Sequence, residues 1–257
     1  MTQQDLQSRK AGHIALVGAG PGARDLLTLR ALERIQSADV LLYDRLVDPE
    51  IMELASTRAE RIYVGKEVGR CAWPQGRIDR LIVAKARLGL RVVRLKSGDP
   101  SIFGRACEEI AAARAAGIEV EIVPGITAAS AAAASICHPL TERGETDTFA
   151  VTTGTCRPGD ANPDRARLAH PGTSMAFYMA VERAAVVRDD LIGASAPAEC
   201  PVEIVASVST PQERHVSTTL GALAETIAAE GIRNPAILFV RYPKSLARAI
   251  RGISAVA

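Results

Sequence analysis

Short apolar runs, each stopped by a glycine- or charge-rich loop and joined to the next by a helical pattern, recur from His13 to Val123. The runs are His13–Val17, Val40–Tyr43, Ile62–Val64, Val92–Leu95 and Val120–Val123. Helical spacing lies between them, in Leu26, Leu27, Leu29, Ala31, Leu32 and Ile35, then in Arg77–Leu88, then in Ala106–Ala116. Asp25 is the expected cap of the first helix and Gly117 the C-terminal glycine of the last. Alternation of this kind implies a mainly parallel sheet covered by helices. In such sheets the loops leaving the carboxyl ends of the strands build the site. Those loops start near Gly18, Asp44, Gly65, Lys96 and Pro124.

Thr127–Ser135 is nearly all Ala and Ser and reads as a closely packed helix at a domain junction. From Phe149 the alternation resumes, with strands at Met175–Tyr178, Val202–Val205 and Ala236–Val240 and helices at Arg183–Ile192 and Leu220–Glu230. Arg157–Arg167, with two prolines and a glycine, reads as a loop. The expectation is an N-terminal α/β domain over residues 1–125 and a C-terminal one over 126–257. A chain of 257 residues has room for both.

Composition narrows the function. Hydrophobic residues make up 47% and charged residues 23%, which excludes a disordered chain. Lys and Arg number 31 against 29 Asp and Glu, so binding of nucleic acid through bulk charge is excluded. The five cysteines form no CxxC pair and the four histidines no HExxH, so no metal site is expected. Residues 1–12 lack the apolar core of a signal peptide, and no stretch reaches the roughly 18 apolar residues of a membrane span. A cytoplasmic location without membrane attachment is expected.

Four motifs carry chemistry. Gly18-Ala-Gly-Pro-Gly22 reads either as a nucleotide loop or as a tight turn. Pro21 counts against a dinucleotide loop, because it has no N–H to offer a pyrophosphate. Asp44 at the end of a strand can act as a base or simply pair with Arg45. Arg94 and Lys96, two apart on a strand, project to one face and lead into Ser97-Gly98-Asp99-Pro100. That stretch can be a ligand loop, with Arg94 reaching a cleft, or a charged turn with a capping Asp99. Met179 closes a strand in the second half and reads as core or as a ligand contact.

Taken in order, VGAGPG, YDRLV, VGK, PQ, RLKSGDPSIFGR, VPGITAAS, PLTERG and FYM resemble the uroporphyrinogen-III C-methyltransferases, within the tetrapyrrole methylase family. The resemblance runs from about Gly12 to Val240. It implies the two-domain tetrapyrrole methylase fold (a class III methyltransferase), each domain a mainly parallel or mixed sheet with flanking helices. It implies S-adenosylmethionine in the cleft between the domains, S-adenosylhomocysteine as product, and a homodimer. Fused sirohaem synthases carry a further dehydrogenase–chelatase module, and the resemblance here is to the stand-alone methyltransferase.

By the same resemblance Asp44 is the proton acceptor, Lys66 the proton donor, and Arg94 a group that activates substrate. Pro21, Ser97, Gly98, Asp99, Ile102, Thr127, Ala128, Met179, Val208 and Ala236 are the implied cofactor contacts. Arg45, Arg70, Arg105 and Arg143 suit the eight carboxylates of uroporphyrinogen III, because a guanidinium binds a carboxylate bidentately. The implied reaction methylates uroporphyrinogen III at C-2 and C-7, through precorrin-1, to precorrin-2. A later tetrapyrrole methylase, a dinucleotide-dependent oxidoreductase and a tetrapyrrole carrier are the rival readings. The chain departs from the family pattern at Ser97, at Ala180, at Cys71 and across Ala206–Ser209.

Overall fold

A computed structural model describes residues 12–65, 73–156, 159 and 161–254. The chain divides into two compact units between Ala128 and Ala129. Among the described residues each unit holds one five-stranded sheet.

In the first unit the strands are β1 (His13–Gly18), β2 (Val40–Tyr43), β3 (Glu60–Tyr63), β4 (Arg91–Lys96) and β5 (Glu119–Val123). Their order is β3-β2-β4-β1-β5, and every pairing is parallel. The helices are α1 (Leu29–Ser37), α2 (Pro49–Glu53), α3 (Gln75–Arg87) and α4 (Ala106–Ala115). The inner strands β2, β4 and β1 are buried on both faces and read as near-continuous apolar runs, whereas the edge strands β3 and β5 are partly exposed. Ala15, Val17, Leu41, Val93 and Leu95 pack on one side with Ala31 and Ile35 of α1. Ile14, Leu16, Val40, Leu42 and Val92 pack on the other with Ile78, Ile82 and Ala86 of α3 and Ala106 and Ala113 of α4.

The cap of α1 differs from expectation. Asp25 lies in a 3-10 turn (Arg24–Leu26), and the hydroxyl of Thr28 accepts from the Ala31 N–H at 3.1 Å. Thr28 stands directly before the first helical residue, where a side-chain oxygen can reach the third N–H. Gly117 ends α4 with a φ of 68°, as expected.

The second unit holds β6 (Thr148–Thr153), β7 (Thr173–Tyr178), β8 (Pro201–Ala206), β9 (Arg214–Thr219) and β10 (Ala236–Tyr242) in the order β6-β7-β10-β8-β9. Only β6 and β7 run parallel, and the other pairings are antiparallel. Helices α5 (Ala128–Ser135), α6 (Ala184–Gly193), α7 (Leu223–Ala229) and α8 (Lys244–Ser254) accompany them. The core gathers Met175, Phe177, Val202, Ile204, Leu238 and Val240 with Val187 and Leu191 of α6 and Leu223 and Ile227 of α7. The polar β9 escapes a hydrophobic-run reading because it is an edge strand with exposed alternate residues. The segment Arg157–Arg167, read as a loop, enters a 3-10 turn at Arg165–Leu168.

Three loops at the carboxyl end of the first sheet meet backbone to backbone. A Cβ on Gly125 would lie 2.2 Å from the Gly98 carbonyl oxygen, and one on Gly18 would lie 2.6 Å from the Gly125 Cα. Gly125→Ala should therefore force these loops apart and destabilise the protein by about 1–3 kcal/mol, the usual range for overpacking. Urea unfolding of the variant beside the wild type measures it, and an unchanged midpoint would show that the loops have slack.

Candidate functional site

The loops that meet through these glycines are the ones following β1, β4 and β5. Gly20 and Gly98 bridge them, the Gly98 N–H donating to the Gly20 carbonyl at 2.6 Å and the Gly20 N–H returning to Gly98 at 3.2 Å. Gly98 has a φ of 69°, a left-handed backbone that glycine adopts without strain. Ser97 is not among the positive-φ residues, so a serine fits there without backbone cost. Asp99 is spent on the chain itself, since one carboxylate oxygen accepts from the Gly125 N–H at 3.0 Å and the other from the Ser101 N–H at 2.7 Å. It ties the loop after β4 to the loop after β5, as a capping Asp would. The turn is thus built by Asp99, and what it offers a ligand is its backbone.

Beneath that turn lies a chain of four charges. Arg94 and Lys96 take the last two positions of β4 on the face covered by α3 and α4, as their spacing predicts. The Arg94 guanidinium is buried, with the residue 6% exposed. One edge donates to the Asp44 carboxylate at 3.0 Å, and its Nε lies 3.5 Å from the Glu109 carboxylate. It also donates to the carbonyls of Leu42 and Leu95. Lys96 sits 2.7 Å from the other Glu109 oxygen and donates to the Gly104 carbonyl at 2.6 Å. Burial pushes the Lys96 ammonium below the usual lysine range, and the Glu109 charge works against that shift. Asp44 also accepts from the Leu46 N–H at 3.1 Å, so the strand end and the ion pair fix its direction. Its partner is Arg94, not Arg45, which is exposed. Arg94 therefore stands behind Asp44 instead of in an open cleft.

The other predicted residues fall as follows. A Cβ on Gly98 would stand 3.7 Å from the Ala128 nitrogen and the Thr127 Cα, so these three residues share one place. Pro21 and Ile102 are half-buried in the loops after β1 and β4. Arg105 is exposed and paired with Glu108 at 2.9 Å. Lys66, Arg70 and Cys71 lie outside the described residues.

In the second unit Met179 is 44% exposed with a φ of 52°, which removes the core reading. Gly154 is pressed against it, since a Cβ there would lie 2.8 Å from the Met179 carbonyl oxygen. Val208 and Ala236 are buried, with Ser207 and Ser209 at positive φ on either side of Val208. Arg143 is exposed in the turn closed by Glu142 and Thr146.

Sequence reasoning missed Glu109 and gave Gln75, within the PQ motif, no role. The signal was present, because Ala106, Glu109 and Ala113 share the buried stripe of α4, opposite a strand face that carries two cations. Two buried cations need an anion within reach.

Residues 13–224 match the family model for tetrapyrrole (corrin/porphyrin) methylases. A siroheme synthase of Stutzerimonas stutzeri is 44% identical over 229 residues, covering 89% of this chain and 49% of that protein. One from Chromobacterium violaceum is 45% identical over 231 residues, covering 90% and 49%. The chain thus spans about half the length of the curated relatives it matches. Among solved structures, a uroporphyrin-III C-methyltransferase from Thermus thermophilus, complexed with S-adenosylhomocysteine, superposes with a TM-score of 0.76 at 38% identity, covering 90% of this chain and 92% of that one. A cobalt-precorrin-4 methyltransferase superposes at 0.81 with 26% identity, covering 94% and 98%.

The charge chain makes a stability prediction. Arg94→Leu strips Asp44 of its partner and leaves Glu109 with Lys96 alone, so it should cost about 3–5 kcal/mol. Arg94→Lys keeps the charge but loses the planar fork, and should cost about 1–3 kcal/mol. Chemical denaturation of both variants checks the order. Equal stability of Arg94→Leu and wild type would show that the guanidinium carries no weight in the fold.

Proposed function

The chain belongs to the tetrapyrrole methylase family, and from that premise we propose that it methylates uroporphyrinogen III at C-2 and C-7, through precorrin-1, to precorrin-2. The observation that carries this reading is Asp44, held by Arg94 at the carboxyl end of the parallel sheet, after the strand that neighbours β4 and its Gly98 loop. The Thermus uroporphyrin-III C-methyltransferase at 38% identity supports it over the cobalt-precorrin-4 enzyme at 26%. The family match turns the Gly18–Ala23 loop away from dinucleotide chemistry, in keeping with Pro21.

The residues present fit S-adenosylmethionine. Gly98 leaves open the position its side chain would fill, beside the backbone of Thr127 and Ala128. In this reading Pro21, Ser97, Gly98, Asp99, Ile102, Thr127 and Ala128 are the first unit's cofactor residues. Asp99 acts by shaping the loop, and Met179, Val208 and Ala236 are the second unit's. When bound, the cofactor supplies an electrophilic methyl group on a sulfonium that leaves as a neutral thioether.

The nucleophile is a pyrrole carbon of the substrate. Once methylated, the ring must lose a proton, and in this reading Asp44 takes it at a carboxylate oxygen. Arg94 keeps that carboxylate aimed, so its effect on the substrate passes through Asp44. Lys66 is the proposed proton donor. Arg45, Arg70, Arg105 and Arg143 are the proposed holders of substrate carboxylates. The exposed Arg105–Glu108 pair is worth only about 0–1 kcal/mol and can be exchanged for a substrate carboxylate. A homodimer in the cytoplasm completes the reading.

Purified protein should bind S-adenosylhomocysteine and not NAD in calorimetry, and should transfer labelled methyl from the cofactor to uroporphyrinogen III. NAD binding without S-adenosylhomocysteine binding would reverse the assignment. Asp44→Asn keeps the shape and removes the base, so turnover should fall by roughly 10²–10⁴ with cofactor affinity unchanged. Near-normal turnover would reduce Asp44 to a structural partner of Arg94.

A further inference from the structure

Glu109 has no part in the motifs, yet it is a fully buried carboxylate two contacts from Asp44. Its oxygens face Lys96 at 2.7 Å, the Arg94 Nε at 3.5 Å and the Gln75 amide of α3 at 3.3 Å. The Gln75 amide also donates to Asp79 at 2.9 Å. From β2, β4, α3 and α4 the groups that meet here are Asp44, Arg94, Lys96, Gln75, Asp79 and Glu109. Along the chain Asp44, Arg94, Glu109 and Lys96, the two positive and two negative charges cancel.

We propose that Glu109 is a positioning residue for the proton acceptor. By neutralising Lys96 and setting its charge 3.5 Å from the far edge of Arg94, it keeps the near edge of Arg94 on Asp44 and leaves that pair electrically balanced. The proposal rests on the reading of Asp44 as proton acceptor. Stability alone gives no reason for the charge, because buried ion pairs can commonly be replaced by apolar groups of similar volume without loss. The rest of this α4 stripe is alanine, facing the apolar cluster of the sheet. Without Glu109, two cations would act on Asp44 alone, favouring its ionised form and weakening it as a base.

The test compares wild type, Glu109→Gln and the double variant Lys96→Met/Glu109→Gln by the pH–rate profile of methyl transfer, with thermal melts and S-adenosylhomocysteine affinity alongside. Glu109→Gln should lower kcat about tenfold and move the acidic limb about one pH unit down, at unchanged cofactor affinity. The double variant removes the surplus charge and should return the limb to its wild-type position. A limb that stays put in Glu109→Gln, or that the double variant does not restore, overturns the proposal in favour of a purely structural role. If Glu109→Gln does not fold, Lys96→Met carries the opposite surplus and must move the limb up; a limb that stays or falls there overturns the proposal as well. Absence of methyl transfer in the wild type would be a failure of the functional reading instead. In that event ¹⁵N-lysine NMR still decides the coupling. Lys96 should lose its proton at lower pH in Glu109→Gln than in wild type, and an unmoved Lys96 signal overturns the proposal.

Discussion

The contact on which the first unit depends is made of main chain. Gly18 at the end of β1 and Gly125 in the loop after β5 approach each other and the Gly98 carbonyl so closely that neither can carry a side chain. Because β5, β1 and β4 are neighbours in the sheet, their carboxyl-end loops already emerge side by side. The glycines let them close, and the Asp99 carboxylate then binds the Gly125 N–H across the seam. What results is a rigid rim whose polar groups belong mainly to the backbone. Such a rim recognises a ligand by shape and hydrogen bonds without lending it a net charge.

Charge enters from below the rim. β4 ends in two cations on a face that is otherwise apolar, and α4 answers with Glu109 while Asp44 follows the last residue of β2. A network of this kind is weak evidence for stability, since desolvation offsets much of the attraction. Its effect is directional. Arg94 donates to two main-chain carbonyls and to Asp44 and faces the Glu109 charge at 3.5 Å, so the Asp44 carboxylate cannot turn without losing its ion pair.

Much of this was legible in residue order. The parallel first sheet follows from apolar runs separated by helical spacing, because strands covered on both faces must be apolar throughout. The shared face of Arg94 and Lys96 follows from the two-residue period of a strand. The depth of that face does not, so Arg94 read as a residue reaching a cleft when it is a buried support. Asp44 was matched with its neighbour Arg45 because sequence shows adjacency; the sheet brings Arg94 from 50 positions away. β9 was missed because an edge strand with polar alternate residues has no apolar run to reveal it. Met179 could not be told from core by its type, and only its left-handed, exposed backbone separates it.

The strand order has a consequence for how the protein is made. β1 lies between β4 and β5, whose residues begin at Arg91 and Glu119. A ribosome working at about 5–20 residues per second needs on the order of ten seconds to travel from β1 to the end of β4. During that interval Ile14–Val17 have no strand to pair with, although all four end up buried. β1, an inner strand of the finished sheet, is thus the one that waits longest as nascent chain, and it is where protection during synthesis matters most.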